Sequence, residues 1–201
     1  TILARIEALI EQRKPFVATS HYIGPDRRKG SGRGESAIPT FDVPNTLKLK
    51  IANRNLDTAQ LQRAIDRAME GINGEMVHRL AFQLAYQAEY LFLLMKGGQT
   101  NFAAPLKELK WSLMELLRRM DAKSGGAVLK MARDMGGIYD RIDAVQPNPK
   151  DIDLIRKLGV TINLGLKNAT TPEELLGKVR ESLERSRKAG QKEWTGAAGS
   201  A

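Results

Sequence analysis

The sequence predicts an all-α protein, a bundle of five or six helices preceded by an extended basic linker, and three observations predict it. Aromatic residues make up only 5% of the 201-residue chain, so Leu, Ile, Ala and Met must fill the interior, which favours helices over sheets. Beyond residue 56, apolar positions return at spacings of three and four. Between Phe16 and Leu56, by contrast, Gly24, Pro25, Gly30, Gly32, Gly34, Pro39 and Pro44 interrupt every helical window. With 42% hydrophobic and 27% charged residues, the composition is globular and supports one ordinary domain or two small ones.

The first element is an amphipathic helix over residues 1–14, whose stripe is Ile2, Leu3, Ile6, Leu9 and Ile10, and Pro15 stops it. Residues 15–56 read as a linker or arm, extended around Phe41 to Leu49; a structureless run of that length joins two units more naturally than it sits inside one. Asp57 or Thr58 caps the next helix, with Gln60 placed to complete a capping box. Its stripe runs through Leu61, Ile65, Met69 and Ile72, then resumes past Gly71 and Gly74 through Met76, Leu80, Leu84 and Leu91 to Gly97 and Gly98. That pattern fits one long kinked helix or two in succession. A third segment covers Ala103 to Asp121, with Pro105 accepted in its first turn. A fourth runs from Gly126 to Val145, and Asn148 before Pro149 starts a fifth carrying Ile152, Ile155 and Leu158. Thr171 and Pro172 open the last, with Leu175, Leu176, Val179 and Leu183 inward. The predicted bundle domain is 57–190, and the Gly- and Ala-rich residues 191–201 form a flexible tail.

Several function classes are disfavoured at once. With no cysteine there is no disulfide, thiolate metal site or cysteine nucleophile, and His21 and His78 alone do not build a metal centre. The chain also lacks a Ser–His–Asp set, a paired-carboxylate site and a cofactor fingerprint. We therefore expect no enzyme activity, no catalytic residue, no cofactor and no metal. Apolar runs such as Tyr90 to Met95 are too short to span a bilayer, no charged-then-apolar leader opens the chain, and a cytoplasmic location is expected. The chain starts in a helix without an initiator Met, so we expect a part of a longer protein. A net charge of +9, from 32 Lys and Arg against 23 Asp and Glu, implies affinity for anions without choosing among nucleic acid, nucleotide, membrane surface and acidic protein.

The segment Thr1 to Arg28, TILARIEALIEQRKPFVATSHYIGPDRR, resembles the last helix of a response-regulator receiver domain followed by a junction found in receiver proteins of alphaproteobacterial type. The more specific part is RKPFVATSHYIGPDRR, where apolar residues, Tyr, Gly-Pro-Asp and paired Arg occur in order. The resemblance covers about a seventh of the chain, and residues 57–190 carry none. It implies that the chain is the output part of a two-component regulator, acting on a protein partner of a signalling pathway. The phosphoacceptor Asp and its acidic neighbours would lie before Thr1, so no carboxylate here takes that role.

Within the arm, Tyr22, Asp26, Arg27, Arg28 and Arg33 are the candidate ligand-binding residues. Guanidiniums grip phosphate and stack on bases, Tyr22 offers a stacking surface, and Asp26 could accept from a guanine edge. The segment is similar to Arg-rich tails of receiver-like proteins that bind cyclic di-GMP, which makes a cyclic di-GMP sensor the alternative function. A solvated linker with a turn at Pro25-Asp26 is the plainer reading. Nucleic-acid binding is a third reading, disfavoured because no compact tri-helical unit presents a basic recognition face. Self-association as a homodimer stays open. His78 invites a phosphotransfer role but lacks the surroundings for one, so it reads as structural. The seven Met residues, with Tyr86, Tyr90 and Phe92, read as core filling.

Overall fold

In a computed structural model the protein is mostly helical, an all-α fold with a small three-stranded sheet near its N-terminus. The structure describes residues 1–11, 14–19, 21–27, 38–52, 57–120, 126–142, 144–166, 181 and 184–185. Two compact units divide the chain, Thr1–Met76 and Val77–Ala201, and the division falls inside a helix. The expected last helix and the tail at 191–201 lie outside the described residues, apart from Glu181, Glu184 and Arg185.

The N-terminal unit begins with helix α1, Ile2–Glu11. Strands β1 (Phe16–Thr19), β2 (Tyr22–Pro25) and β3 (Thr40–Phe41) then pair antiparallel in the order β2-β1-β3. Val17 and Ala18 of the central strand are buried. At the closed end of the hairpin the Tyr22 N–H donates to Thr19 Oγ1 at 3.1 Å, and at its open end the Asp26 N–H donates to the Pro15 carbonyl at 2.8 Å. The arm read as linker therefore carries a sheet. Strands of four, four and two residues are too short for a period of two to stand out from the Pro and Gly around them.

Helix α2 spans Thr46–Ala52, so the extended reading of Phe41 to Leu49 is corrected from Thr46 onward. The alternation Leu47, Leu49, Ile51 with Lys48 and Lys50 between them imitates a strand. Asn45 decides otherwise: its Oδ1 accepts the Lys48 N–H at 3.1 Å and so caps a helix.

Helix α3 runs without a break for 39 residues, Thr58–Lys96, which settles the one-or-two question. Asp57 Oδ1 accepts the N–H groups of Ala59 (2.9 Å) and Gln60 (3.2 Å) at its start. Gly71 lies under the Phe41 ring at 3.5 Å from the position of a Cβ. At the end, Gly98 takes φ +74, the left-handed conformation glycine adopts without penalty, while the Gly97 and Gln99 N–H groups satisfy the carbonyls of Leu93 and Leu94.

The C-terminal unit packs the second half of α3 with α4 (Ala103–Arg119), α5 (Gly126–Tyr139) and α6 (Pro149–Leu166). Helix α5 stops short of the expected Val145. The chain tightens there into a turn in which the Arg141 and Ile142 N–H groups reach back three residues, and Ile142 joins the core from outside the helix. Asn148 Oδ1 accepts the Lys150 N–H at 3.0 Å, the start that the Asn-Pro pair announces. Leu80, Leu84, Leu91, Leu109, Leu116, Met135, Ile152, Ile155 and Ile162 are fully buried. Helices α3 and α6 approach so closely at Gly159 that a Cβ there would stand 3.3 Å from both Ala85 Cα and Ala88 Cβ. Not every Met is core: Met76, Met120 and Met135 are buried, but Met69 and Met114 are exposed, as is Tyr90.

Candidate functional site

The five arm residues singled out from the sequence are only partly described: Arg28 and Arg33 lie outside the described residues. Tyr22 opens β2 at the closed end of the hairpin, whereas Asp26 and Arg27 follow β2 at its open end. Tyr22 Oη donates to the Pro25 carbonyl at 3.0 Å, bending the ring back along its own strand. The ring lies across buried Gly24, where a Cβ would stand 2.5 Å from the phenol oxygen, so a residue with a side chain there would push the ring away. The Arg27 guanidinium sits over the same ring, 5.6 Å from its centroid.

This geometry changes the chemistry available. The Tyr22 hydroxyl is spent on the backbone and its ring is already engaged by Gly24 and Arg27. A base would therefore stack on the outer surface of the exposed Arg27 guanidinium or displace it. The local device is a clasp that folds β2 back and presents one arginine.

A second feature escaped the sequence reading. Besides capping α2, Asn45 turns its Nδ2 to the end of α1 and donates to the carbonyls of Leu9 (3.0 Å) and Ile10 (3.2 Å). Those carbonyls are among the last four of α1, which have no partner inside the helix. One amide thus closes the C-terminus of α1 and the N-terminus of α2 at once. Lys48 Nζ adds an exposed ion pair to Glu11 at 3.4 Å. Beside the joint lies an open cleft of about 210 Å³ whose charges balance, Lys14 and Lys48 against Glu11 and Asp42. The signal that could have found the joint is Pro44-Asn45-Thr46, a helix start of the same kind as Asn148-Pro149.

No family model, curated protein or solved structure matches the chain. Among the described residues no group of three His, Cys, Asp or Glu is placed to hold a metal ion, and no helix is long and apolar enough to cross a membrane. His78 is half-buried on α3.

In the bundle, the main buried charge is Glu89, fully removed from solvent on α3. It accepts from Arg156 Nε of α6 at 2.5 Å. The Arg156 guanidinium also covers the Phe92 ring at 4.4 Å and reaches Asp153 at 3.7 Å. The Lys157 ammonium, hydrogen-bonded to Asp153 at 2.7 Å, is the main cause that holds the Asp153 carboxyl below its ordinary range. Each charge here has a neutralising neighbour, so the cluster ties α3 to α6 and leaves no group poised for proton transfer.

Proposed function

We propose that this chain is the output part of a two-component response regulator, that α1 is the terminal helix of the receiver, and that the bundle passes on the receiver's state through protein contacts in the cytoplasm, without chemistry of its own. The observation that carries this reading is α1. Its apolar side chains recur on one stripe, yet the helix buries none of them: Ile2, Leu3 and Leu9 are 79%, 72% and 65% exposed. An amphipathic helix of this kind is made to cover another apolar layer. The receiver resemblance supplies that layer in a receiver's central sheet. Asn45 supports the reading as well, because it fastens the arm to the last turn of that same helix.

The test uses the parent protein. The region encoded before Thr1 is expected to hold an acidic pocket and a Lys-Pro pair, and acetyl phosphate is expected to alter amide exchange within residues 1–52. An upstream region of another kind, or exchange indifferent to acetyl phosphate, rejects the reading.

A second reading, cyclic di-GMP sensing by the arm, is favoured by one observation: the Arg27 guanidinium stands over the Tyr22 ring, 5.6 Å from its centroid, and its exposed outer side offers a cation to a base or phosphate. Calorimetry decides it. Replacing Arg27 and Arg28 by Ala should abolish binding, whereas replacing Arg185 and Arg187 matches the charge loss without touching that cation.

A further inference from the structure

We propose that the cleft beside the α1–α2 joint binds a free amino acid with an aliphatic side chain. The proposal concerns the N-terminal unit alone and goes beyond the output reading without resting on it. Asn45 lines the cleft, and the bonds it makes to both helices fix the cleft's shape. Two of the charges that line it are already matched, since Lys48 pairs with Glu11 at 3.4 Å. The other two are not: Lys14 and Asp42 line the same cleft, and neither makes an ion pair with the other or with another described residue.

Two unpaired groups of opposite sign on one cleft select a ligand that carries both signs. Phosphate or a dicarboxylate would meet like charge at Asp42 and Glu11, and a polyamine would meet it at Lys14 and Lys48. The end of a peptide chain brings only one of the two charges. A zwitterion satisfies both: its carboxylate goes to Lys14, and its ammonium to Asp42 and to the partial negative charge at the end of α1. Size narrows the class further. At about 210 Å³ the cleft is smaller than the roughly 300–1,000 Å³ typical of sites for drug-sized ligands, so it suits a single amino acid. Ile10, Pro15 and Val43 line it as well and give an aliphatic side chain its contact. Because the cleft is open, solvent screens both charge contacts and binding is expected to be weak, with Kd on the order of 1 mM.

The experiment follows amide chemical shifts of the full chain as L-leucine is added to about 10 mM. Saturable shifts are expected at Ile10, Lys14, Asp42 and Val43, and none in α4 to α6. N-acetyl-leucine, which lacks the ammonium, and leucinamide, which lacks the carboxylate, are each expected to bind about fivefold more weakly. Asp42→Asn should erase the preference over N-acetyl-leucine and keep that over leucinamide; Lys14→Gln should do the reverse. A unit that had merely unfolded would lose both preferences together, so the crossed pattern separates lost contact from lost fold. Absence of saturable shifts, shifts confined to other residues, analogues that bind as tightly as leucine, or variants that keep both preferences overturn the proposal. Glycine binding as tightly as leucine overturns the aliphatic assignment. None of these results involves the region before Thr1 or acetyl phosphate, so the output reading stands or falls separately.

Discussion

In the C-terminal unit whole Leu and Ile side chains leave the surface, Leu84, Leu109 and Ile155 among them. In the N-terminal unit, among the described residues, the buried apolar side chains are Val17 and Ala18 of the sheet and Met76 at the unit's edge. The two units are thus held differently. The bundle rests on burial, at roughly 1.5–3 kcal/mol for each fully covered Leu or Ile. The N-terminal unit rests on hydrogen bonds at element ends: Asn45 between two helices, Thr19 at the hairpin loop, Asp26 on Pro15. Each such bond nets about 1 kcal/mol. The difference teaches that the second unit can stand as a structural body, whereas the first keeps its apolar surface, the α1 stripe above all, available to be covered.

The largest effect is expected where the bundle breaks its own rule by burying a charge. Arg156→Met leaves Glu89 without its guanidinium and should destabilise the bundle by about 3–5 kcal/mol in urea unfolding. Adding Glu89→Leu to it should restore most of the loss, because the double variant removes the stranded charge too. If the double variant is as unstable as the single one, packing around Phe92 matters more than the pair.

At Asn45 the effect should be smaller and local. Asn45→Ala is expected to cost about 1 kcal/mol, typical of a lost cap, with faster amide exchange in 2–11 and 46–52 and none in α4 to α6. Asn45→Asp sharpens the point. It keeps the acceptor for the Lys48 N–H but turns an anion toward the Leu9 and Ile10 carbonyls, so α1 should fray while α2 persists.

Glu115 tests how far charge contributes on the bundle surface. Hydrogen bonds from Arg118 and then Arg119 hold its pKa down, from 4.5 to about 2. A carboxyl depressed in the folded state stabilises it above the unfolded pKa, and that contribution disappears as pH falls through the folded value. The thermal midpoint of the parent should therefore exceed that of Glu115→Gln at pH 7, and the gap should close between about pH 4.5 and about 2. Since Arg118 is 65% exposed, solvent screens the pair and the gap should be small. A gap independent of pH would point to side-chain packing instead.

The smallest effect belongs to α1. Leu9→Ala should change the stability of this chain by no more than about 0.5 kcal/mol, because the side chain touches little. In the parent protein the same change should cost several times more if a receiver covers the stripe. Equal, small effects in both would remove the support that α1 lends to the proposed function.

The helices of the bundle were legible in the sequence because their causes are local. Asp57, Asn148 and the Gly97-Gly98 pair act within one turn of the residue they satisfy, and the stripe of Leu80, Leu84 and Leu91 repeats with the period of the helix itself. The candidate arm was legible as chemistry, through Tyr22, Asp26 and Arg27, but not as geometry: the strands are short, and the Gly24 backbone under the Tyr22 ring matters only once β2 has formed. Other features were decided by tertiary structure alone. Asn45 could have been read as a cap of α2, but not as the partner of Leu9 and Ile10, 36 and 35 positions away. Glu89 sits on α3 with nothing nearby to mark it as buried, and what makes burial tolerable is Arg156, 67 positions further on. Periodicity records which face of an element is apolar. Which distant polar group meets a stranded carboxylate or an open helix end depends on how the elements pack, and no window of local sequence contains both partners.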